Sequence, residues 1–349
     1  METKPSPGKG RLTCPRRHMP EGWDPPAPAW SARFDRITRA LVVAIFTTEG
    51  DTRRAQTTRL DGWLAQPDGP VHVERAAYTA RSGDRATMTV AYWCDPDRHR
   101  AWCERDFDAW WRDPARLREA AAHALEVLTI PPDRLETIFG HAENAGAVGT
   151  GQSVYGPVQE HLYWGSMRDR IPAAAQDPLA SLYGHNLPQA EPGETRGRRL
   201  RVTPPANLCV IRSGQNWAGC DAEELALYDA SVRPALHAGM RYLRDHRAET
   251  GCLDLRFANE IGRTDEPLAR AFGLGIFLSL GHLEAWAAHH PTHLAIFERM
   301  VDLATVRGEK LALRLWHEVF VLPGEGQRFE YINCAPNTGL LPFFQASDV

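Results

Sequence analysis

An α+β fold built from two tandem ferredoxin-like repeats is predicted for this chain of 349 residues. Two observations predict it. The order of strands and helices in the first half recurs in the second, as a β-α-β-β-α-β unit repeats. A helix start ending in tryptophan also follows a strand twice, as Asp95-x6-Trp102 and as Gly281-x4-Trp286, with the two tryptophans 184 residues apart.

Residues 41–46 are a continuous apolar run of strand length, and residues 53–65 read as helix. Residues 86–93 are rich in β-forming types. Asp95-Pro96 then opens a helix, with Asp as the cap and Pro at the first position. A further helix is expected over 114–126, before a strand-like segment ending at 135–139. In the second half, 208–212 is a strand and 221–245 is strongly helical. Residues 274–280 follow as a strand, 281–300 as helix, 313–322 as a strand and 329–334 as a final strand. Two unrelated α/β lobes are the alternative. The expected organisation is an extended N-terminal arm (1–37), a first repeat (38–140), a connecting excursion (141–205) and a second repeat (206–349). Within the excursion, Gly-, Pro- and Gln-rich stretches flank a segment dense in aromatic and charged residues around 159–172. Connections of that length are usually functional or disordered.

Composition narrows the function. An apolar fraction of 43% with 24% charged residues is ordinary for a soluble globular chain. A net charge of −4 gives no reason to expect a nucleic-acid or membrane-surface partner. No apolar run approaches 18 residues, so no membrane span is expected. Residues 1–28 are Pro-rich without the apolar core of a signal peptide, and a cytoplasmic location is expected. The seven cysteines form no C-x-x-C pair and read as free thiols in a reducing compartment.

Two histidines near the end of the chain stand in different contexts. His293 lies in a helix, followed by Leu, Ala, Ile and Phe. His317 lies in a strand where Leu313, Leu315, Val319 and Val321 share its face, opposite Arg314, Trp316, Glu318 and Phe320. Imidazoles on a helix and a nearby strand can face the two sides of a planar cofactor, one as iron ligand and one as acid/base group. The plain structural reading makes each a satisfied core histidine. Among aliphatic neighbours, burial would disfavour the charged form of His317. His282, His289 and His290 compete with His293 for any ligand role, and His290 with His293 share one helix face. Ser213 reads as closing a strand and opening a turn, without the G-x-S-x-G of a nucleophile elbow. Arg168 and Arg170 read by default as solvated charges. No G-x-G-x-x-G or P-loop supports nucleotide binding.

Five segments occur in a fixed order: Tyr163-Trp164-Gly165-Ser166-Met167-Arg168-Asp169-Arg170, Ile211-Arg212-Ser213-Gly214-Gln215, His290-Pro291-Thr292-His293, Trp316-His317-Glu318-Val319 and Tyr331-Ile332-Asn333-Cys334. As a set they resemble the haem-containing aldoxime dehydratases. Weaker similarity includes Cys14-Pro15, Tyr92-Trp93 and Trp110-Trp111, so it covers nearly the whole chain. The resemblance implies a ferredoxin-like barrel of the dimeric α+β type, flanked by helices, that binds haem b. It also implies a homodimer and a small-molecule aldoxime substrate that meets ferrous iron through its nitrogen. His293 matches the family's proximal iron ligand. His317, Ser213 and Arg170 match its distal histidine, serine and arginine, and Glu136 matches a distal glutamate linked to proton control. Arg170 would then hold the distal network and a carboxylate or propionate by bidentate contact. Two stretches depart from the family pattern, a longer Pro-rich 173–206 and Gly251-Cys252-Leu253-Asp254-Leu255-Arg256-Phe257, and both bear on pocket shape. Two other readings remain, a peroxidase or chlorite-dismutase-like haem enzyme and a non-catalytic haem sensor. A distal His paired with Ser argues against the first, and Ser213 with His317 would be unnecessary to the second.

Overall fold

The computed structural model describes residues 17–349 apart from 36, 51–52, 142–144 and 152, so Cys14-Pro15 lies outside the described residues. In chain order the first half comprises β1 (Ser31–Arg33), β2 (Leu41–Glu49), α1 (Arg53–Leu64), β3 (His72–Thr79), β4 (Arg85–Trp93), α2 (Pro96–Trp102), α3 (Asp108–Arg112), β5 (Ala122–Ile130) and β6 (Leu135–Phe139). The connection carries β7 (Ser153–Tyr155), α4 (Ser166–Asp169) and β8 (Arg199–Val202). Then follow β9 (Cys209–Asn216), α5 (Ala222–Leu227), α6 (Arg233–Asp245), α7 (Arg247–Thr250), β10 (Cys252–Ile261), β11 (Pro267–Phe277), α8 (Leu280–His289) and α9 (Pro291–Arg307). The chain ends with β12 (Arg314–Val321), β13 (Arg328–Ile332) and β14 (Ala346–Asp348).

One sheet takes the order β14-β8-β13-β5-β2-β4-β3-β10-β11-β9-β12-β6. Within it, β5-β2-β4-β3 and β12-β9-β11-β10 each show the 4-1-3-2 order of a β-α-β-β-α-β unit, so the tandem ferredoxin-like architecture is present. The two units join edge to edge through β3 and β10. β6 crosses to pair with β12, and β13 crosses back to pair with β5. The sheet curls around one core that takes residues from both units, among them Leu41, Val43, Val90, Val210, Leu274, Phe320 and Phe329.

The continuous apolar run of β2 follows from burial on both faces. Leu41, Val43 and Ile45 point into the curled sheet. Val42, Ala44 and Phe46 face Trp102, Phe107 and Trp111 outside it. Outside the second unit, Leu255, Phe277, Val319 and Val321 pack against Leu243, Leu283 and Trp286. The sequence-predicted helix start at Asp95 is present: its carboxylate accepts the Asp97 N–H at 2.9 Å, with Pro96 in the first turn, a cap of about 1 kcal/mol.

Several expectations need correction. Residues 114–126 are not one helix but a short 3-10 turn (Pro114–Arg118) leading into β5. The Ala-, Leu- and Glu-rich composition favoured helix, but pairing with β2 and β13 overrides it. Its Glu126 is buried, bound by Arg256 of β10 at 2.5 and 2.7 Å. β11 ends at Phe277 rather than 280, and the helical region after it breaks at His290-Pro291 into α8 and α9. Among the described residues Cys103, Cys209, Cys220, Cys252 and Cys334 are free thiols. Among the described residues no helix is long and apolar enough to cross a membrane.

Candidate active site

Ser213 is not a turn residue. It sits within β9, where it lies opposite His317 of β12 on one side and Gly273 of β11 on the other. Directly opposed residues place their Cβ atoms about 4.5–5.5 Å apart on the same face, so strand register alone brings the hydroxyl and the imidazole together. The next row on this face runs Gly275, Ile211, Val319 and Glu136. This is the outer, helix-covered face. Glu318 and Arg212 alternate to the other side and enter the core.

His317 therefore shares its face with Val319 and Val321, but its partners are polar. Its side chain is 26% exposed, and Nε2 lies 3.0 Å from Oε1 of Glu136 and 3.1 Å from a terminal guanidinium nitrogen of Arg170. Arg170 follows α4 and donates through Nε to Oε2 of Glu136 at 2.7 Å, and its other terminal nitrogen donates to the Glu160 carbonyl. The expected carboxylate contact of Arg170 is thus present, through one nitrogen rather than two. Nε2 of His317 faces both an acceptor and a donor. A protonated Nε2 meets Glu136, and an unprotonated Nε2 accepts from Arg170. Burial works against the charge on Glu136, but Arg170 and His317 outweigh it and hold the carboxyl below the usual range.

His293 lies in the first turn of α9. The preceding His290 caps that helix, its Nδ1 accepting the Thr292 N–H at 3.3 Å. The His293 ring stands edge-on to Trp286 (centroids 4.7 Å apart) and Trp164 (6.1 Å). Its Nδ1 is buried without a hydrogen bond of standard geometry. Burial lowers its pKa, the Ala287 carbonyl offsets this in part, and His317 across the site lowers it further. The competing histidines are engaged elsewhere. His282 pairs with Ser279 at 2.8 Å, and the His290 ring packs on Tyr242 with centroids 4.4 Å apart. His289 is exposed.

Behind the Ser213 and His317 pair, inside the curled sheet, Arg212 is fully buried. It pairs with Glu74 at 2.7 Å and Glu318 at 3.2 Å. Against the push of burial, Arg212, His72 and the Gly146 N–H hold Glu74 well below the usual carboxylate range. Burial dominates at Glu318 and raises it. Its carboxyl accepts from the Tyr92 hydroxyl at 2.5 Å and the Ala147 N–H at 2.8 Å. This network went unseen in the sequence because its members come from four distant strands and a loop. A cavity of about 690 Å³, lined by Tyr78, Arg85, His237, Met240, Arg241 and Phe257 among others, lies at the β3–β10 seam, and neither His293 nor His317 is among the residues that line it.

A model of the haem-containing dehydratases matches residues 46–340. The chain belongs to this family. It is 34% identical over 342 residues to the phenylacetaldoxime dehydratase of Bacillus sp. (strain OxB-1), covering 95% of this chain and 96% of that protein. It is 35% identical over 341 residues to the aliphatic aldoxime dehydratase of Pseudomonas chlororaphis, covering 95% and 96%. A crystal structure of an aldoxime dehydratase in complex with butyraldoxime superposes with a TM-score of 0.86 at 33% identity, covering 95% of this chain and 94% of that one.

Haem is the cofactor of this dehydratase family, and the space between the sheet and α6, α8 and α9 fits a flat apolar group. Ser213 is exposed although it lies in mid-sheet beneath a helix layer. Gly273 and Gly275 lie on that same face, so no side chain rises from the floor there, and a Cβ on Gly273 would come within 3.0 Å of Met240 Sδ. Ile211, Met240 and Ile296 are only half-buried, and Phe297 is 39% exposed. Sequence reading missed these lining residues. The Gly-Leu-Gly of 273–275 in an apolar strand was a signal for the floor, since residues two apart share a face.

Glu136 yields a pH prediction. Its native pKa is depressed below 4.5, so its contribution to stability is complete above that value and is lost as pH falls through the native one. Glu136→Gln strands the nearly buried Arg170 and should destabilise by about 3–5 kcal/mol at pH 7. Urea unfolding midpoints of the two proteins should converge as pH drops below 4.5. A gap that stays unchanged across the whole acid range contradicts the assignment.

Proposed function

We propose that this protein dehydrates aldoximes to nitriles, R-CH=N-OH giving R-CN and water, on haem b ligated by His293. What supports the reading most is the register that opposes Ser213 to His317, with Glu136 and Arg170 closing round Nε2. Haem, when bound, supplies a ferrous iron able to coordinate the oxime nitrogen and push electron density toward the N–O bond. The protein's part is orientation and proton traffic. His317 takes a proton at Nε2, where Glu136 stabilises the charged ring, and gives it to the oxime hydroxyl. That oxygen leaves as water with the N–O electron pair. Ser213 hydrogen-bonds the hydroxyl and fixes its direction. The now neutral His317 removes the carbon-bound proton, and the C–H electrons become the third carbon–nitrogen bond. No net oxidation occurs. Arg170 holds Glu136 at 2.7 Å and, through its contact with Nε2 at 3.1 Å, steadies the ring between the two transfers, a contact that gives way when Nε2 takes the carbon-bound proton.

The test is nitrile formation from butyraldoxime and phenylacetaldoxime with and without dithionite, alongside the haem spectrum. Turnover is expected only in the reduced state. A protein that binds haem and forms no nitrile from either substrate overturns the reading. Ser213→Ala should leave haem binding intact and slow turnover roughly ten- to hundredfold, as loss of a hydrogen bond to a charged centre does. Loss of haem in that variant would remove Ser213 from the role. A homodimer belongs to the same reading and is checked by light scattering.

A further inference from the structure

The N-terminal arm and the excursion between the repeats meet at Asp169, the residue before Arg170. Asp169 is 3% exposed. Its Oδ2 accepts the His18 backbone N–H at 3.0 Å and the Tyr163 hydroxyl at 2.9 Å. Its Oδ1 lies 2.7 Å from Nδ1 of His18. The arm presses on this loop elsewhere as well. Arg17 donates to the Ala175 carbonyl at 2.5 Å and Trp23 Nε1 to the His161 carbonyl at 3.1 Å. The Trp23 ring meets Tyr163 edge-on, with centroids 5.6 Å apart, and the Val158 N–H reaches the Ala29 carbonyl at 2.8 Å. Gly165 has φ +91°, and a Cβ there would lie 2.6 Å from the His18 side chain. That close approach leaves room only for glycine.

We infer that residues 17–30 are a strap over the 158–176 loop, and that His18 is a positioning residue for Arg170, acting through Asp169. The inference rests on the proposed role of Arg170. α4 spans four residues, too few to be stable in isolation, so its orientation is set by what holds its ends. Asp169 and Arg170 are consecutive and point opposite ways, one to the strap and one to Glu136 and His317. Anchoring the first fixes the backbone from which the second reaches. Without the anchor, the loop samples orientations in which the guanidinium no longer reaches Nε2 of His317.

The test uses the full haem-loaded chain, reduced, with butyraldoxime. His18→Ala should lower kcat roughly tenfold while KM, haem content and the haem spectrum stay unchanged. Amide hydrogen exchange in a peptide covering residues 163–171 should speed up. His18→Asn should restore both, because its side-chain amide can donate where Nδ1 does. Gly165→Ala should reproduce the defect with His18 intact, by pushing the ring off Asp169. In an Arg170→Ala background His18→Ala should cost nothing more. Unchanged exchange in both His18→Ala and Gly165→Ala overturns the strap, and a further fall in kcat on the Arg170→Ala background overturns the route through Arg170. If Arg170→Ala alone turns over like the parent protein, the reading of Arg170 has failed and the positioning role falls with it, whatever the exchange shows.

Discussion

His293→Ala purified from haem-replete cells should show no haem Soret band while its far-ultraviolet circular dichroism stays that of the parent. The separation between cofactor and fold follows from what the side chain touches. The ring is only half-buried, and its Nδ1 makes no hydrogen bond of ordinary geometry. Removing it therefore takes little from the sheet core. α9 keeps its start, since the capping group belongs to His290 and Pro291 occupies the first turn. Haem loses its iron ligand, and a neutral imidazole is what iron requires. Burial already biases His293 to that form. Free imidazole added to the variant should partly restore the band by occupying the space between Trp286 and Trp164. His290→Ala is the contrasting control, expected to lose about 1 kcal/mol of helix capping and to keep its haem. A Soret band retained in His293→Ala, together with one lost in His290→Ala, would move the ligand to His290.

His317→Ala should keep haem and lose about 10²–10⁴ in kcat, the range a positioned acid/base group supplies. The side chain ends in the Glu136 and Arg170 cluster rather than in the core, so its removal leaves those two still paired at 2.7 Å. The binding space itself is untouched, so KM should move far less than kcat. Turnover retained in this variant means that another group moves the proton, and Ser213 opposite it is then the residue to examine.

Much of the architecture was legible from local pattern. The apolar run of β2, the Asp95-Pro96 cap and the repeated strand–helix order each encode their structure within a few residues. β5 was not legible, because Ala, Leu and Glu prefer helix in isolation and only pairing with β2 and β13 decides otherwise. β3 likewise depends on distant partners: its Glu74 is buried against Arg212, 138 positions away. At the site, the five ordered motifs named His293, His317, Ser213 and Arg170 by resemblance, while Ser213 was placed wrongly in a turn. Nothing near Ser213 in sequence says that its strand continues to Asn216. That follows from its two partner strands, β11 and β12.

Local chemistry carried by the chain itself therefore established the repeat plan, the helix caps and the residue types suited to iron ligation and proton transfer. Tertiary structure alone decided that His282 pairs with Ser279 and the His290 ring packs on Tyr242, that Glu136 and Arg170 share Nε2 of His317, and that the arm reaches Asp169. The physical reason is range. Propensity, capping and periodicity act over one or two turns and can be read along the chain. Strand register and long-range polar contacts join residues far apart in the chain, Ser213 with His317, Glu136 with Arg170 and His18 with Asp169, and their energies exist only once the sheet has closed around its core.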